Sequence, residues 1–209
     1  MILPPHKPII YLLTKGESAP ANFDETSREI LDLIRIAVEE KISLVQIREK
    51  LLPARLLFDL TVKAADITRG SETRLLVNDR ADIAFAAGAD GVHLTANSLP
   101  VDVIRRSLPN DIVVGVSTHS FDAAAEARRT GADFAVFGPI FETPGKDGSQ
   151  GIEILAEICD KLKPFPILAL GGVDESNTAS VMEAGVAGFA AIRMLNDPAS
   201  LKTVCRRYK

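Results

Sequence analysis

A short apolar run, a polar break and then a stretch of helical periodicity recur eight times along this chain. That alternation is the signature of βαβ units, which build a parallel sheet covered by helices on its faces. The strand segments are Ile9–Leu13, Leu44–Arg48, Arg74–Asn78, Gly91–Leu94, Ile112–Val116, Phe134–Gly138, Pro166–Leu170 and Phe189–Arg193. Helices are expected at Glu25–Glu40, Ala54–Arg69, Arg80–Ala87, Val101–Leu108, Phe121–Thr130, Ile152–Lys163, Ser176–Ala184 and Leu201–Arg207. Spread over 209 residues, each round has about 25 residues, at the small end for a (β/α)8 barrel. No round is left over for a second domain, so residues 1–209 are expected to form one single-domain α/β TIM barrel. Small-residue phrases precede several strands: Ala87-Gly88-Ala89-Asp90, Gly131-Ala132-Asp133 and Ala184-Gly185-Val186-Ala187-Gly188. Glycine there suits a left-handed helix cap, and the repetition favours a closed barrel over an open doubly wound sheet.

Composition removes several classes of partner. With 46% hydrophobic and 25% charged residues the chain reads as an ordinary globular protein. A net charge of −4 gives no sustained basic surface for nucleic acid or an anionic membrane. The opening MILPPHKPII lacks the basic and apolar regions of a secretion signal, and a cytoplasmic location is expected. Cys159 and Cys205 lie in helical stretches away from any C-x-x-C spacing, which suits structural thiols. A homo-oligomer remains open.

In a barrel of this kind the chemistry sits where the strands end. The second strand runs Val45-Gln46-Ile47-Arg48-Glu49-Lys50. Its two-residue period puts Val45 and Ile47 toward the helices and Gln46, Arg48 and Lys50 toward the barrel mouth. Cations held there call for an anion, and a guanidinium with an ammonium suits phosphate. The third strand ends Asn78-Asp79-Arg80, where Asp79 or Asn78 caps the next helix, or Asp79 binds Mg²⁺ bridging to a pyrophosphate, roles that one residue can combine. The fourth ends His93-Leu94-Thr95-Ala96-Asn97-Ser98 without a carboxylate, and His93 reads as a hydrogen-bonded core residue. After the fifth come Ser117-Thr118-His119-Ser120, expected as a polar loop in which Ser117 or Ser120 caps a helix or Ser117 meets substrate. The connection from Gly138 to Gly151 exceeds the usual βα length and suits a lid, with Lys146 either delivering charge to a phosphate or simply solvated. The seventh strand leads into Gly171-Gly172 and the eighth into Arg193, the usual phosphate end of such barrels.

Taken in order, Gln46-Ile47-Arg48-Glu49-Lys50, Asn78-Asp79-Arg80, Gly91-Val92-His93-Leu94, Gly138-Pro139-Ile140-Phe141-Glu142-Thr143 with Lys146, and Gly171-Gly172 resemble the thiamine phosphate synthase and thiazole tautomerase superfamily over nearly the whole chain. The resemblance implies an enzyme of small phosphorylated substrates. A hydroxymethylpyrimidine pyrophosphate loses pyrophosphate, and the resulting cation is captured by the nitrogen of a thiazole phosphate. It further implies that Arg48, Lys50 and Lys146 hold the pyrophosphate and that Asp79 carries Mg²⁺. Gln46, Asn78 and Ser117 would contact pyrimidine and pyrophosphate, Thr143 the substrate, and Gly172 the thiazole phosphate. The chain departs from the synthase pattern after the fourth strand, where Thr95-Ala96 replaces a Gly-Gln and Ser98 a second acidic metal ligand, and again where Gly145 replaces a threonine and Arg193 a serine. The tautomerase branch shares Phe141-Glu142-Thr143 but has a histidine where this chain has Pro139. A thiazole phosphate isomerase and a non-catalytic phosphate sensor on the same scaffold are the alternatives.

Overall fold

A computed structural model of the chain describes residues 7–143, 145 and 148–208. Its strands are β1 (Ile9–Leu13), β2 (Leu44–Ile47), β3 (Arg74–Asn78), β4 (Gly91–Leu94), β5 (Val113–Thr118), β6 (Phe134–Phe137), β7 (Ile167–Ala169) and β8 (Gly188–Ala191). They alternate with helices α1 (Phe23–Glu39), α2 (Ala54–Thr68), α3 (Ala81–Ala86), α4 (Val101–Ser107), α5 (Phe121–Thr130), α6 (Ile152–Leu162), α7 (Thr178–Glu183) and α8 (Pro198–Arg207). Every strand pairs in parallel with its sequence neighbour, and β8 closes on β1 through Ile9 opposite Gly188 and Tyr11 opposite Ala190. The expected barrel is therefore the observed one.

Strand alternation divides the core. Ile9, Tyr11, Leu13, Leu44, Leu76, Val113, Phe134, Val136, Leu168 and Ala190 pack together inside the barrel. Ile10, Leu12, Val45, Ile47, Leu75 and Val77 pack outward against α1, α2 and their neighbours. Gly115 is required inside: a Cβ on it would lie 2.3 Å from the Phe134 ring. Two helix ends show the sequence grammar directly. Gly131, at φ 96°, closes α5 in the left-handed region, and the Asp197 carboxylate accepts the Ser200 N–H at 2.8 Å to start α8, with Pro198 in its first turn.

Element boundaries shift in ways that matter near the mouth. Ile112–Val116 is expected as the fifth strand, but β5 continues through Ser117 and Thr118, because both stay in register with Val136 and Phe137. Those two residues thus belong to the rigid sheet and not to a polar loop. The second, sixth, seventh and eighth strands end one or two residues early, leaving Arg48, Gly138, Leu170, Ile192 and Arg193 on the connections. The last helix begins at Pro198 instead of Leu201. Among the described residues no helix is long and apolar enough to cross a membrane.

Candidate active site

A cavity of about 490 Å³ opens where the strands end. Gln46, Arg48, Lys50, Asn78, Ser117, Thr143, Gly171, Gly172 and Arg193 all line it. Lys146 lies outside the described residues. Asp79 is not part of the lining, although Thr95, which bonds its carboxylate, is.

The β2 end supplies the positive charge. Gln46 is 0% exposed, and among the described residues neither its amide oxygen nor its amide nitrogen has a hydrogen-bond partner. Buried polar atoms are rarely left this way, and a pair of them in a cavity wall suits a ligand with both donors and acceptors. Arg48 is anchored through its backbone, whose N–H donates to Thr14 Oγ1 at 2.8 Å, leaving the guanidinium half-buried at the mouth. Among the described residues neither Arg48 nor Lys50 forms a salt bridge, and Arg193 forms none either. The intervening Glu49 takes no part in this: it is buried and accepts the N–H groups of Gly16 and Ser18 at 3.1 and 2.8 Å, fixing the β1–α1 connection.

Asp79 settles between its two expected roles in part. It does not cap α3, which begins without a side-chain cap. Its backbone adopts φ 60°, a conformation that aspartate tolerates better than most residues, with its N–H donating to His93 O at 2.9 Å. One carboxylate oxygen accepts from Thr95 Oγ1 at 2.9 Å and from Ser98 Oγ, and the other accepts from Asn78 Nδ2 at 2.7 Å. Burial opposes ionisation, yet the hydrogen bonds from Ser98, Thr95 and Asn78, with the Lys50 charge, hold the Asp79 carboxyl below its ordinary value. Ser98, at the position expected to lack a metal carboxylate, is thus a donor to Asp79. No group of three or more His, Cys, Asp or Glu that could hold a metal occurs among the described residues. The Asp79 carboxylate and the Thr95 and Ser98 hydroxyls beside it are oxygen groups, the hard ligand type that Mg²⁺ prefers, whereas Asn78 approaches through its amide nitrogen.

His93 is a core residue, as expected, and also a wall of the cavity. Its Nδ1 lies 3.2 Å from Tyr11 Oη and its Nε2 lies 2.8 Å from Ser117 Oγ. Burial, partly offset by Asp79 and reinforced by Arg48, pushes the imidazole down to about 4, so it is neutral near pH 7. Ser117 is not a helix cap; Ser120 is, accepting the Ala123 N–H at 3.2 Å. His119 also lines the cavity, with Nδ1 bonded to the Gly138 carbonyl. Tyr11 carries no signal of its own in the sequence beyond the two-residue period of β1, which places it on the inner face with Ile9 and Leu13.

The opposite wall is built by glycine. Gly171 and Gly172 have φ of 97° and 67°. A Cβ on Gly171 would lie 2.5 Å from Pro139 Cα, and one on Gly172 would lie 2.6 Å from Phe141 Cβ. These glycines therefore let the β7–α7 connection pack on the β6–α6 connection, besides opening the backbone toward a ligand. The end of that long connection is tied down by Gln150 N to Pro139 O at 2.8 Å and Gly151 N to Ile140 O at 3.1 Å.

Residues 10–195 match the family model described as thiamine monophosphate synthase. The chain is 40% identical over 193 residues to a putative thiamine-phosphate synthase of Geobacter sulfurreducens, covering 90% of this chain and 87% of that protein. It is 41% identical over 175 residues to the thiamine-phosphate synthase of Methanoculleus marisnigri, covering 81% and 82%. Among solved structures, the thiamine phosphate pyrophosphorylase of Pyrococcus furiosus is similar with a TM-score of 0.79 at 27% identity, over 95% of both chains.

Proposed function

The chain belongs to the thiamine monophosphate synthase family, and from that premise we propose that it joins hydroxymethylpyrimidine pyrophosphate to a thiazole phosphate, releasing pyrophosphate. The carbon–oxygen bond between the pyrimidine methylene and pyrophosphate breaks, and its electron pair leaves with pyrophosphate. The thiazole nitrogen then supplies the pair for the new carbon–nitrogen bond.

The observation that carries this reading is the β2 end of the cavity, where among the described residues Arg48 and Lys50 form no salt bridge and the buried Gln46 amide has no hydrogen-bond partner. Gln46 would read the donor and acceptor edge of the pyrimidine. Arg48 and Lys50 would take the growing charge of the leaving group, the kind of preorganised electrostatic stabilisation that dominates many reactions. Lys146 would join them. Asn78 and Ser117 would orient pyrimidine and pyrophosphate, Thr143 the bound substrate, and Gly171, Gly172 and Arg193 the thiazole phosphate. The Asp79 carboxylate, with the Thr95 and Ser98 hydroxyls beside it, would hold Mg²⁺ jointly with pyrophosphate, since that ion usually takes only one or two carboxylates beside substrate oxygens. When bound there, Mg²⁺ would share the charge of the departing pyrophosphate.

The test is product formation by the purified chain with both substrates saturating and Mg²⁺ present. Thiamine phosphate and pyrophosphate should appear in equal amounts. No product under those conditions sinks the reading. Calorimetry with pyrophosphate, with and without Mg²⁺, checks the metal separately: tighter binding with Mg²⁺ supports Asp79 as its holder, and equal binding removes that part.

A further inference from the structure

We infer that Tyr11 and His93 act as positioning residues that turn the Ser117 hydroxyl into a hydrogen-bond donor aimed at an oxyanion in the barrel mouth. The three side chains form a line from the barrel interior to the cavity: Tyr11 Oη to His93 Nδ1 at 3.2 Å, then His93 Nε2 to Ser117 Oγ at 2.8 Å. They come from β1, β4 and β5, so the sheet itself holds their spacing.

Proton accounting gives the line a direction. Tyr11 is 0% exposed, and His93 is the only hydrogen-bond partner its hydroxyl has among the described residues. If that hydroxyl accepted a hydrogen bond from Nδ1–H, its own O–H would be buried with no partner among the described residues, an arrangement folded chains avoid. The phenol therefore donates to Nδ1. A neutral imidazole has a single N–H, which must then sit on Nε2 and donate to Ser117 Oγ.

The Ser117 hydroxyl has no further hydrogen-bond partner among the described residues, and Ser117 lines the cavity. With one lone pair taken by Nε2–H, its own proton is free to meet a ligand oxygen. The opposite direction would have Ser117 donate to Nε2 and present only lone pairs, which repel an anion. On the proposed coupling reaction, the acceptor is an oxygen of the pyrimidine pyrophosphate.

The direction is read without any turnover. In the ¹⁵N-labelled full chain, long-range proton–nitrogen correlation of the His93 ring should show the proton on Nε2 and an acceptor at Nδ1. A proton on Nδ1 overturns the inference whether or not the chain proves to be a synthase. In kinetics, Tyr11→Phe should lower kcat about tenfold, the loss of one oriented hydrogen bond, with KM for thiazole phosphate unchanged and the His93 proton shared between the two nitrogens. An unchanged kcat with the wild-type ring pattern overturns the role of Tyr11. His93→Gln, whose amide nitrogen reaches the Nε2 position, should retain more activity than His93→Leu; equal losses would count against the relay. Absence of coupling by the wild-type chain would remove the proposed reaction, leaving the ring measurement to decide the proton's position.

Discussion

Arg105 and Arg48 are both arginines set against the barrel, one beside the strand entries and one at the strand exits, and their surroundings are opposite. Arg105 donates to Gly131 O at 2.9 Å, Ile112 O at 2.6 Å and the Asp133 carboxylate at 2.6 Å. That carboxylate also accepts the Val114 N–H at 2.7 Å. Asp90 repeats the device two βα units earlier, taking the Leu75 N–H at 2.8 Å and pairing with Arg74. At the entry side, then, the aspartates after two of the small-residue phrases staple neighbouring strands, and each charge has a protein partner. Among the described residues Arg48 has no salt-bridge partner, and the side-chain amide of Gln46 beside it has no hydrogen-bond partner. Keeping polar groups desolvated and unpaired costs stability, so the contrast separates groups that hold the fold from groups that wait for a ligand.

That contrast can be broken most sharply at Arg48. Arg48→Ala should lower kcat for coupling about 100- to 1,000-fold, the scale for losing a donor to developing charge, while leaving the denaturant midpoint unchanged. Steady-state kinetics beside urea unfolding decides it, and a large stability loss would place Arg48 with the structural arginines.

His93 sharpens it next. Its folded value of about 4 lies below the unfolded value of about 6.5, so between those pH values the unfolded chain binds more protons. Stability is therefore fully present above the unfolded value and falls as pH drops through the window, by on the order of 3 kcal/mol. His93→Gln should flatten that part of the unfolding free energy measured against pH; an unchanged slope means the ring is not the titrating group.

Arg105→Ala should do the reverse of Arg48→Ala. It should destabilise the chain by about 2 kcal/mol through three lost charge-assisted hydrogen bonds, with kcat per folded molecule kept. The smallest effect belongs to the helix surface, where Arg55 pairs with Asp59 one turn away. Arg55→Ala should change stability by less than about 0.5 kcal/mol, and a larger shift in thermal unfolding would mean that surface pairing is not the minor term it is taken for.

Much of this contrast was legible in the residues. The period of two in Val45-Gln46-Ile47-Arg48 placed the polar side chains in the mouth, because a closed barrel leaves the apolar side only the helices to meet. The Gly131 cap and the eight rounds were equally readable, being local. Asp79 was less so: its competing roles, cap and ligand, depend on whether a hydroxyl from another strand end reaches it, and Thr95 and Ser98 do. Ser117 was misplaced into a loop because strand length is set by the neighbour it pairs with, here β6, and not by its own polarity.

The sequence by itself determined the barrel, the order of its strand ends and the basic character of the β2 exit, since each follows from periodicity within a single segment. Only the tertiary structure decided which charges are spent and which are free, and that a tyrosine 82 residues from His93 in the chain fixes where the histidine carries its proton. Such pairings join residues from different strands, and no periodicity within one strand encodes which side chain of another it will meet.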